Sequence, residues 1–372
     1  MRPEKGERQF KDVIGTIQSQ RTALQANDSF MKALLLSRYN LLEVADLPAP
    51  VPRPDEILVR VAACGICGSD VHGYDGSSGR RIPPIVMGHE AAGTVAALGK
   101  NVKNFSEGDR VTFDSTVYCG SCDNCLRGDV NLCDNRQVVG VSCGDYRRAG
   151  AFAEFVVVPA RIVYHLPEIL PFEEAAMLEA VSVALHAVSL VAVRPQDKAL
   201  VVGAGMIGLL IVQALHAAGC SQIYVTDVDQ TRLSLADEFG LATSLLAGPS
   251  FIPQVMAATH GNGMDVVIEA VGINATVTTA IDSVRKGGTV VLVGNVSPEV
   301  TLPLQKIVSR QIRLQGSCAS AGEYPRAIEL MSSEAIRVKP LITAVAPLEE
   351  GPRWFERLHA REPNLMKVVL VP

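Results

Sequence analysis

Two short stretches carry residue types suited to metal chemistry. Cys64-Gly65-Ile66-Cys67-Gly68-Ser69-Asp70-Val71-His72 and Gly88-His89-Glu90 offer thiols, imidazoles, a hydroxyl and carboxylates set among glycines. Thiolate, imidazole and carboxylate are the protein ligands that zinc accepts, and catalytic sites use three and leave a position open. The pattern predicts that Cys67, His89 and Glu90 hold a catalytic zinc, with Ser69 and His72 handling protons beside it. The plain alternative is a buried Cys and two surface His in loops, because both types also occur singly as packing residues.

A second cluster is denser. Cys119, Cys122 and Cys125 are followed by Cys133, so four thiols lie within fifteen positions. Four thiolates around one ion make a closed structural zinc site. Free thiols or two disulfides are the bland readings, and an iron–sulfur cluster is a lesser one, since it too uses four Cys. The residues between the thiols, Asp123, Asn124, Arg127, Asp129 and Asn131, are polar, so a metal would tie a segment with little apolar content of its own.

The third pattern is a phosphate cradle. A buried strand, Ala199 to Val202, runs straight into Gly203-Ala-Gly205-Met206-Ile207-Gly208, and a helix follows to Ala218. Asp227 ends the next strand, Gln222 to Thr226. Strand, glycine loop, helix and a later acid together form a dinucleotide fingerprint. Gly203 makes the turn, Gly205 lets a pyrophosphate approach the backbone with Met206 and Ile207 at the helix start, and Gly208 lets helix and strand pack closely. Asp227 would accept from the adenosine ribose hydroxyls and repel a 2′-phosphate, which favours NAD over NADP. Val271 and Val293 lie at later strand ends, Asp265 to Ala270 and Thr289 to Gly294, where they flank the nicotinamide or are simple apolar strand ends.

These residues must be positioned by two kinds of architecture. From Met31 the chain reads as short strands broken by Pro and Gly, among them Ala33 to Leu36, Glu56 to Ala63, Ala92 to Leu98 and Ala153 to Val158, which suggests an antiparallel or barrel-like unit. A helical pattern follows from Phe172 to about Val193. Glu179 sits alone in it, and either points to solvent or faces the metal site, because an unpaired buried carboxylate is costly. From about Val183 to Ser317, strands and helices alternate, which implies a parallel sheet. The last strand, Lys367 to Val371, is expected to return to the first unit.

The 372 residues suggest two domains, and 48% apolar content is enough for sizeable cores. No apolar run approaches the roughly 18 residues of a membrane span. The net charge of −5 argues against nucleic acid as a partner. Nine Cys with no visible secretory signal read as metal ligands and free thiols in a reducing cytoplasm. Phe10, Val13, Ile14, Ile17 and Leu24 fall at helical spacing in an otherwise polar extension before Met31, while Glu4, Glu7 and Asp12 speak against a mitochondrial presequence.

Taken together, Cys67 to His72, Gly88-His89-Glu90, the four clustered Cys and the glycine fingerprint, in this order, resemble the zinc-containing medium-chain dehydrogenase/reductase family. The similarity covers Met31 to Pro372 and is strongest to its polyol branch (sorbitol, galactitol phosphate) and to the threonine dehydrogenases. It implies an α/β fold: a GroES-like β-rich catalytic domain plus a Rossmann doubly wound parallel sheet. The implied boundaries are an extension over 1–30, the catalytic domain over 31–182 and 319–372, and the NAD-binding domain over 183–318. The resemblance also implies Glu90 or Glu179 as further zinc ligands, a relay through Ser69 and His72, and Arg232 at the adenosine ribose. Two zinc ions and NAD per chain, an alcohol substrate, and a homodimer or homotetramer belong to the same expectation. Two departures stand out: Ala180 replaces a usual Pro after Glu179, and Ser317-Cys318-Ala319-Ser320 stands where sorbitol dehydrogenases carry an Arg-Tyr pair. The second speaks against sorbitol itself. Arg80 and Arg81 are candidates for a sugar phosphate, or are a solvated basic pair. The rival readings are a metal-free quinone reductase of the same fold, an NADH-binding sensor with structural zinc only, and a zinc-ribbon module.

Overall fold

The computed structural model describes residues 30–143 and 146–372. The expected extension and its amphipathic pattern lie outside the described residues.

Strand β1 (Phe30–Arg38) and strand β2 (Leu41–Pro48) form an antiparallel hairpin. The organising strand is β3 (Glu56–Gly65), in which Ile57, Val59, Val61 and Ala63 alternate inward and are buried. A period of two places these side chains on one face, so the sequence alternation itself selects the buried side. Helix α1 (Gly68–Tyr74) follows, with Cys67 at its N-cap. Strand β4 (Glu90–Leu98) then pairs antiparallel with β3, and the register sets Glu90 opposite Gly65. Strands β5 (Arg110–Phe113), β6 (Phe155–Pro159) and β7 (Val163–His165) extend this sheet.

The helical run expected from Phe172 is split. A single turn, Phe172–Ala175, is followed by helix α2 (Leu178–Ser189), the break falling where Met177 sits at ψ −6°. Glu179 therefore lies in the first turn of α2, where the helix dipole favours an acid. Leu178, Val181 and Ala184 of α2 are buried against Leu209 and Val212 of helix α3 (Met206–Ala217). Each such large side chain contributes roughly 1.5–3 kcal/mol on burial. This core joins the two halves.

The second half is a six-stranded parallel sheet: β8 (Lys198–Val202), β9 (Gln222–Asp227), β10 (Thr243–Leu246), β11 (Met264–Glu269), β12 (Val284–Leu292) and β13 (Arg313–Gly316). Its spatial order is β10-β9-β8-β11-β12-β13. The order reverses between β8 and β11, and ligands of doubly wound sheets bind at that switch. Helix α4 (Tyr324–Ser332) packs on α2, and the chain returns through β14 (Ile342–Pro347) and β15 (Lys367–Val371). Strand β15 pairs with the end of β3, Val369 opposite Gly65. The C-terminal end of β3 is thus flanked by Glu90 on one side and by β15 on the other.

Candidate metal and dinucleotide site

Cys67, His89 and Glu90 meet at the end of β3, with one potential ligand atom from each within 4.8 Å of the others. Cys67 arrives from the N-cap of α1, and His89 and Glu90 from the start of β4. Gly88 has φ +95°, a conformation that L side chains rarely adopt, and a Cβ there would meet the Phe152 backbone nitrogen at 2.8 Å. The turn that brings two adjacent residues to one point therefore requires glycine. Gly65 leaves room for Glu90: a Cβ would sit 2.4 Å from its Oε2.

Charges that local spacing does not reveal surround this group. Lys367 on β15 is fully buried and donates to Glu90 Oε2 at 2.5 Å and to the Ile66 carbonyl at 3.1 Å. Burial would strip its proton, but Glu90 beside it raises the ammonium's pKa above its usual value. Glu90 Oε1 is buried with no hydrogen-bond partner. One oxygen is neutralised by Lys367 and the other is left for a cation, so the donor set fits zinc.

Asp70 carries a second charge network. It is fully buried, accepts from the Cys67 N–H at 3.3 Å and lies 3.4 Å from His89 Nδ1. Asp70 thus sets a negative charge beside the His89 ring, although Nδ1 itself makes no hydrogen bond. Burial works to raise the Asp70 carboxyl, but His89 and Arg81 outweigh it and hold it below the usual carboxylate range. Arg81 is accordingly no solvated cation. It is 3% exposed and donates from Nη2 to Asp70 Oδ1 at 2.9 Å, while Arg80 remains exposed. The reading of Arg81 as a phosphate contact is corrected: a buried carboxylate takes its charge.

Ser69 is exposed at the start of α1, and His72 lies three residues on, one turn along the same helix face. Glu179 lies outside the close group of three ligands. Its carboxyl is nonetheless pushed up to about 7, by burial first and by the like charges of Glu90 and Asp114, against the pull of His89 and Lys367. Asp114, 4% exposed, is pushed up to about 6, chiefly by burial. Tyr324 Oη and Ser182 Oγ are buried without partners. Asp114 and Lys367 are the polar residues here that sequence reading missed, and it named Asp70 and Arg81 without seeing that they pair.

At the sheet switch, Gly203 has φ +104° and a Cβ on it would strike Val271 Cγ2 at 2.6 Å. A Cβ on Gly208 would lie 1.8 Å from the Gly203 carbonyl oxygen, whereas Gly205 faces open space. Met206 and Ile207 begin α3, so its free N–H groups point into that space. Asp227 accepts from the Ala204 N–H at 2.7 Å and the Asp229 N–H at 3.0 Å. Arg232 stands 3.6 Å from Asp227 and 3.8 Å from Asp229. Buried Glu269, also missed, accepts from the Val271 and Gly272 N–H groups at 2.9 and 2.8 Å. Its backbone carbonyl accepts from Val293 at 2.9 Å, so one residue fixes both strand-end turns.

The four clustered thiols also converge, with ligand atoms within 4.8 Å of one another. Cys119 and Cys125 Sγ are 3.9 Å apart, and Cys122 and Cys125 Sγ 3.5 Å. A tetrahedral zinc with bonds of about 2.3 Å spaces thiolates about 3.8 Å apart, and a disulfide needs about 2 Å. Hydrogen bonds from Ser121 and the Cys122 N–H bring the Cys119 thiol down to about 5, whereas burial and the neighbouring thiols push Cys125 up to about 12, so without a cation the cluster does not ionise as a whole. Within this lobe, Asn131 contacts His186 Nε2 of α2 at 3.2 Å and donates to the Cys318 carbonyl at 2.7 Å. His186 Nδ1 meets Glu323 at 2.7 Å. The segment that departs from the sorbitol dehydrogenase pattern is therefore pinned to the lobe and to α2.

Comparison with known proteins agrees with this geometry. The family pattern described as "Alcohol dehydrogenase GroES-like domain" matches residues 53–168, and "Zinc-binding dehydrogenase" matches 207–333. Sorbitol dehydrogenase of Bacillus subtilis is 34% identical over 348 residues, 92% of this chain and 97% of that protein. A zinc-binding dehydrogenase of Sinorhizobium meliloti, solved bound to NADP, superposes with TM-score 0.82 at 32% identity, covering 92% of this chain and all of that one. An Escherichia coli alcohol dehydrogenase complexed with NADH superposes at 0.86 and 29% identity, over 92% of this chain and 100% of the other.

Proposed function

Because the chain belongs to the zinc-containing medium-chain dehydrogenase/reductase family, in its polyol branch, we propose that it oxidises a secondary alcohol of a polyol or sugar alcohol with NAD, using two zinc ions per chain. The observation that carries this reading is the convergence of Cys67, His89 and Glu90, with one carboxylate oxygen left free, beside a helix bearing Ser69 and His72.

Zinc held there supplies Lewis acidity near neutral pH, and the nicotinamide supplies the hydride acceptor. The remaining work belongs to the chain. Ser69 Oγ takes the substrate's hydroxyl proton as it gives up its own toward His72, which passes one proton on to solvent. Glu179, raised to about 7, is poised to exchange a proton or to ligate in turn. Cys119, Cys122, Cys125 and Cys133 hold the lobe that brings Asn131 against His186 of α2 and the Cys318 carbonyl. The start of α3 and Gly205 receive the pyrophosphate, and Val271 and Val293 flank the nicotinamide. The charge of Asp227 repels a 2′-phosphate, and Arg232 partly offsets it; NAD is favoured because Asp227 is buried at the strand end while Arg232 is half exposed.

A neutral polyol is favoured over a phosphorylated one, since Arg81 is buried against Asp70. Ser317 to Ser320 lacks the Arg-Tyr pair, so a polyol other than sorbitol is expected. Four thiols kept for a metal need a reducing compartment, for which we propose the cytoplasm. Exposed Leu304 and Val308, next to the edge strand β13, suit a homodimer or homotetramer.

A panel of polyols, polyol phosphates and L-threonine, offered with NAD and with NADP and followed by reduced-nicotinamide absorbance, tests the reading. Turnover that a chelator abolishes is expected. NADH binding without oxidation of any alcohol overturns it. Asp227→Ser should narrow the NAD preference in kcat/KM, and wild-type preference for NADP would remove the assigned role of Asp227.

A further inference from the structure

We propose that Arg81 is a positioning residue for the proton relay, fixing the direction in which Ser69 passes its proton. This rests on the functional reading above. Arg81 donates from Nη2 to Ser69 Oγ at 3.1 Å and to Asp70 Oδ1 at 2.9 Å, and from Nε to the same carboxylate oxygen at 3.2 Å. Arg81 is 3% exposed and its partner Asp70 is fully buried, so the two bonds to Asp70 Oδ1 fix the guanidinium nitrogen that reaches Ser69. Space for it is built into the chain: a Cβ on Gly73 would lie 2.1 Å from Arg81 Cγ. Gly73 sits one turn along α1 from Ser69 and Asp70, and its missing side chain lets the arginine stem cross the helix.

A hydroxyl has one proton to donate and two lone pairs to accept with, while a guanidinium only donates. Arg81 therefore occupies one lone pair of Ser69. One acceptor position and one donor position remain. The acceptor takes the substrate's hydroxyl proton, and the donor must point onward. Without Arg81, Ser69 could accept from solvent and donate backward, and the exposed hydroxyl would have several rotamers. The positive charge also eases transient negative charge on Oγ as the proton leaves. Lysine does not reproduce this arrangement, because it lacks the second donor, Nε, that anchors the guanidinium on Asp70 while Nη2 reaches both Asp70 and Ser69.

The test is a double-mutant cycle on kcat, using an alcohol that wild type oxidises. Arg81→Lys should lower kcat by about 10–100-fold, the usual cost of losing a residue that orients a metal-site group. Zinc per chain and NADH affinity should stay at wild-type values. In a Ser69→Ala background, adding Arg81→Lys should cost less than about twofold more, since residues acting as one unit are not additive. Gly73→Ala keeps the charge but displaces the stem, and its loss should likewise vanish when Ser69 is absent. Equal losses with and without Ser69, or loss of zinc from Arg81→Lys, would overturn the inference while leaving the functional reading intact. A zinc-replete wild type that oxidises no alcohol overturns the functional reading, and this inference with it.

Discussion

The four-thiol lobe takes Cys119, Cys122, Cys125 and Cys133 from one short span, held by local backbone N–H groups such as those of Ser121 and Cys122. The Cys67 site takes its parts from a helix cap, a strand start and, through Lys367, a strand 277 positions further on. In the lobe, four like thiols converge within 4.8 Å, enough to satisfy one ion with nothing left over. In the Cys67 site, three unlike ligands are balanced by Asp70, Arg81 and Lys367, and Glu90 keeps an oxygen in reserve. A closed site can be encoded locally because its purpose is to be full. An open one needs remote charges to keep it stable while incomplete.

The largest break in this comparison comes from the lobe. Cys122→Ser should empty it, and a structural zinc contributes on the order of 10 kcal/mol to the small unit it holds. Zinc should fall from two ions per chain to one, and the segment should become open to proteases. Full zinc content with unchanged melting would contradict a closed site. Lys367→Met attacks the open site through its remote charge. Leaving Glu90 buried and unpaired should cost about 3–5 kcal/mol in denaturant unfolding, and a loss under about 1 kcal/mol would mean that Glu90 is compensated otherwise.

Smaller changes sharpen the contrast. Glu179→Gln should keep the lobe's zinc and NADH binding but lose about 10–100-fold in activity. Kinetics within about twofold of wild type would mark Glu179 as a bystander. Asp114→Asn probes the acidic wall beside Glu179. A carboxyl raised from 3.8 to about 6 stabilises the fold when protonated, and that contribution disappears as pH rises from about 4 through 6. The variant should therefore gain about 1–3 kcal/mol over wild type at pH 8 and nothing at pH 4. Melting curves at the two pH values decide it, and equal differences at both would remove the titration argument.

Much of this was legible in the chain. The glycine loop, the thiol cluster and Cys67, His89 and Glu90 announce themselves because their spacing is short and their chemistry unusual. The strands showed through their alternation, and the doubly wound order through strand–helix rhythm. The charge balance was not legible. Arg81 read as one of a basic pair for a phosphate or for solvent, and Lys367 as the first residue of an apolar strand. Their burial depends on partners brought by tertiary pairing and on the empty space above Gly73. The split before Leu178 was hidden for a related reason, as apolar periodicity continues across it.

The pairing of Glu90 with Lys367 also orders assembly. The parallel sheet between them is continuous in sequence, and its helices also pack on Leu330 and Ile336 just beyond it. The antiparallel sheet is interrupted, and no residue made before position 367 supplies the ammonium that Glu90 meets. Until β15 arrives, the end of β3 is an open edge with an uncompensated carboxylate. A chain cut before β15 would therefore leave Glu90 without the ammonium that balances it, whatever the state of the parallel sheet.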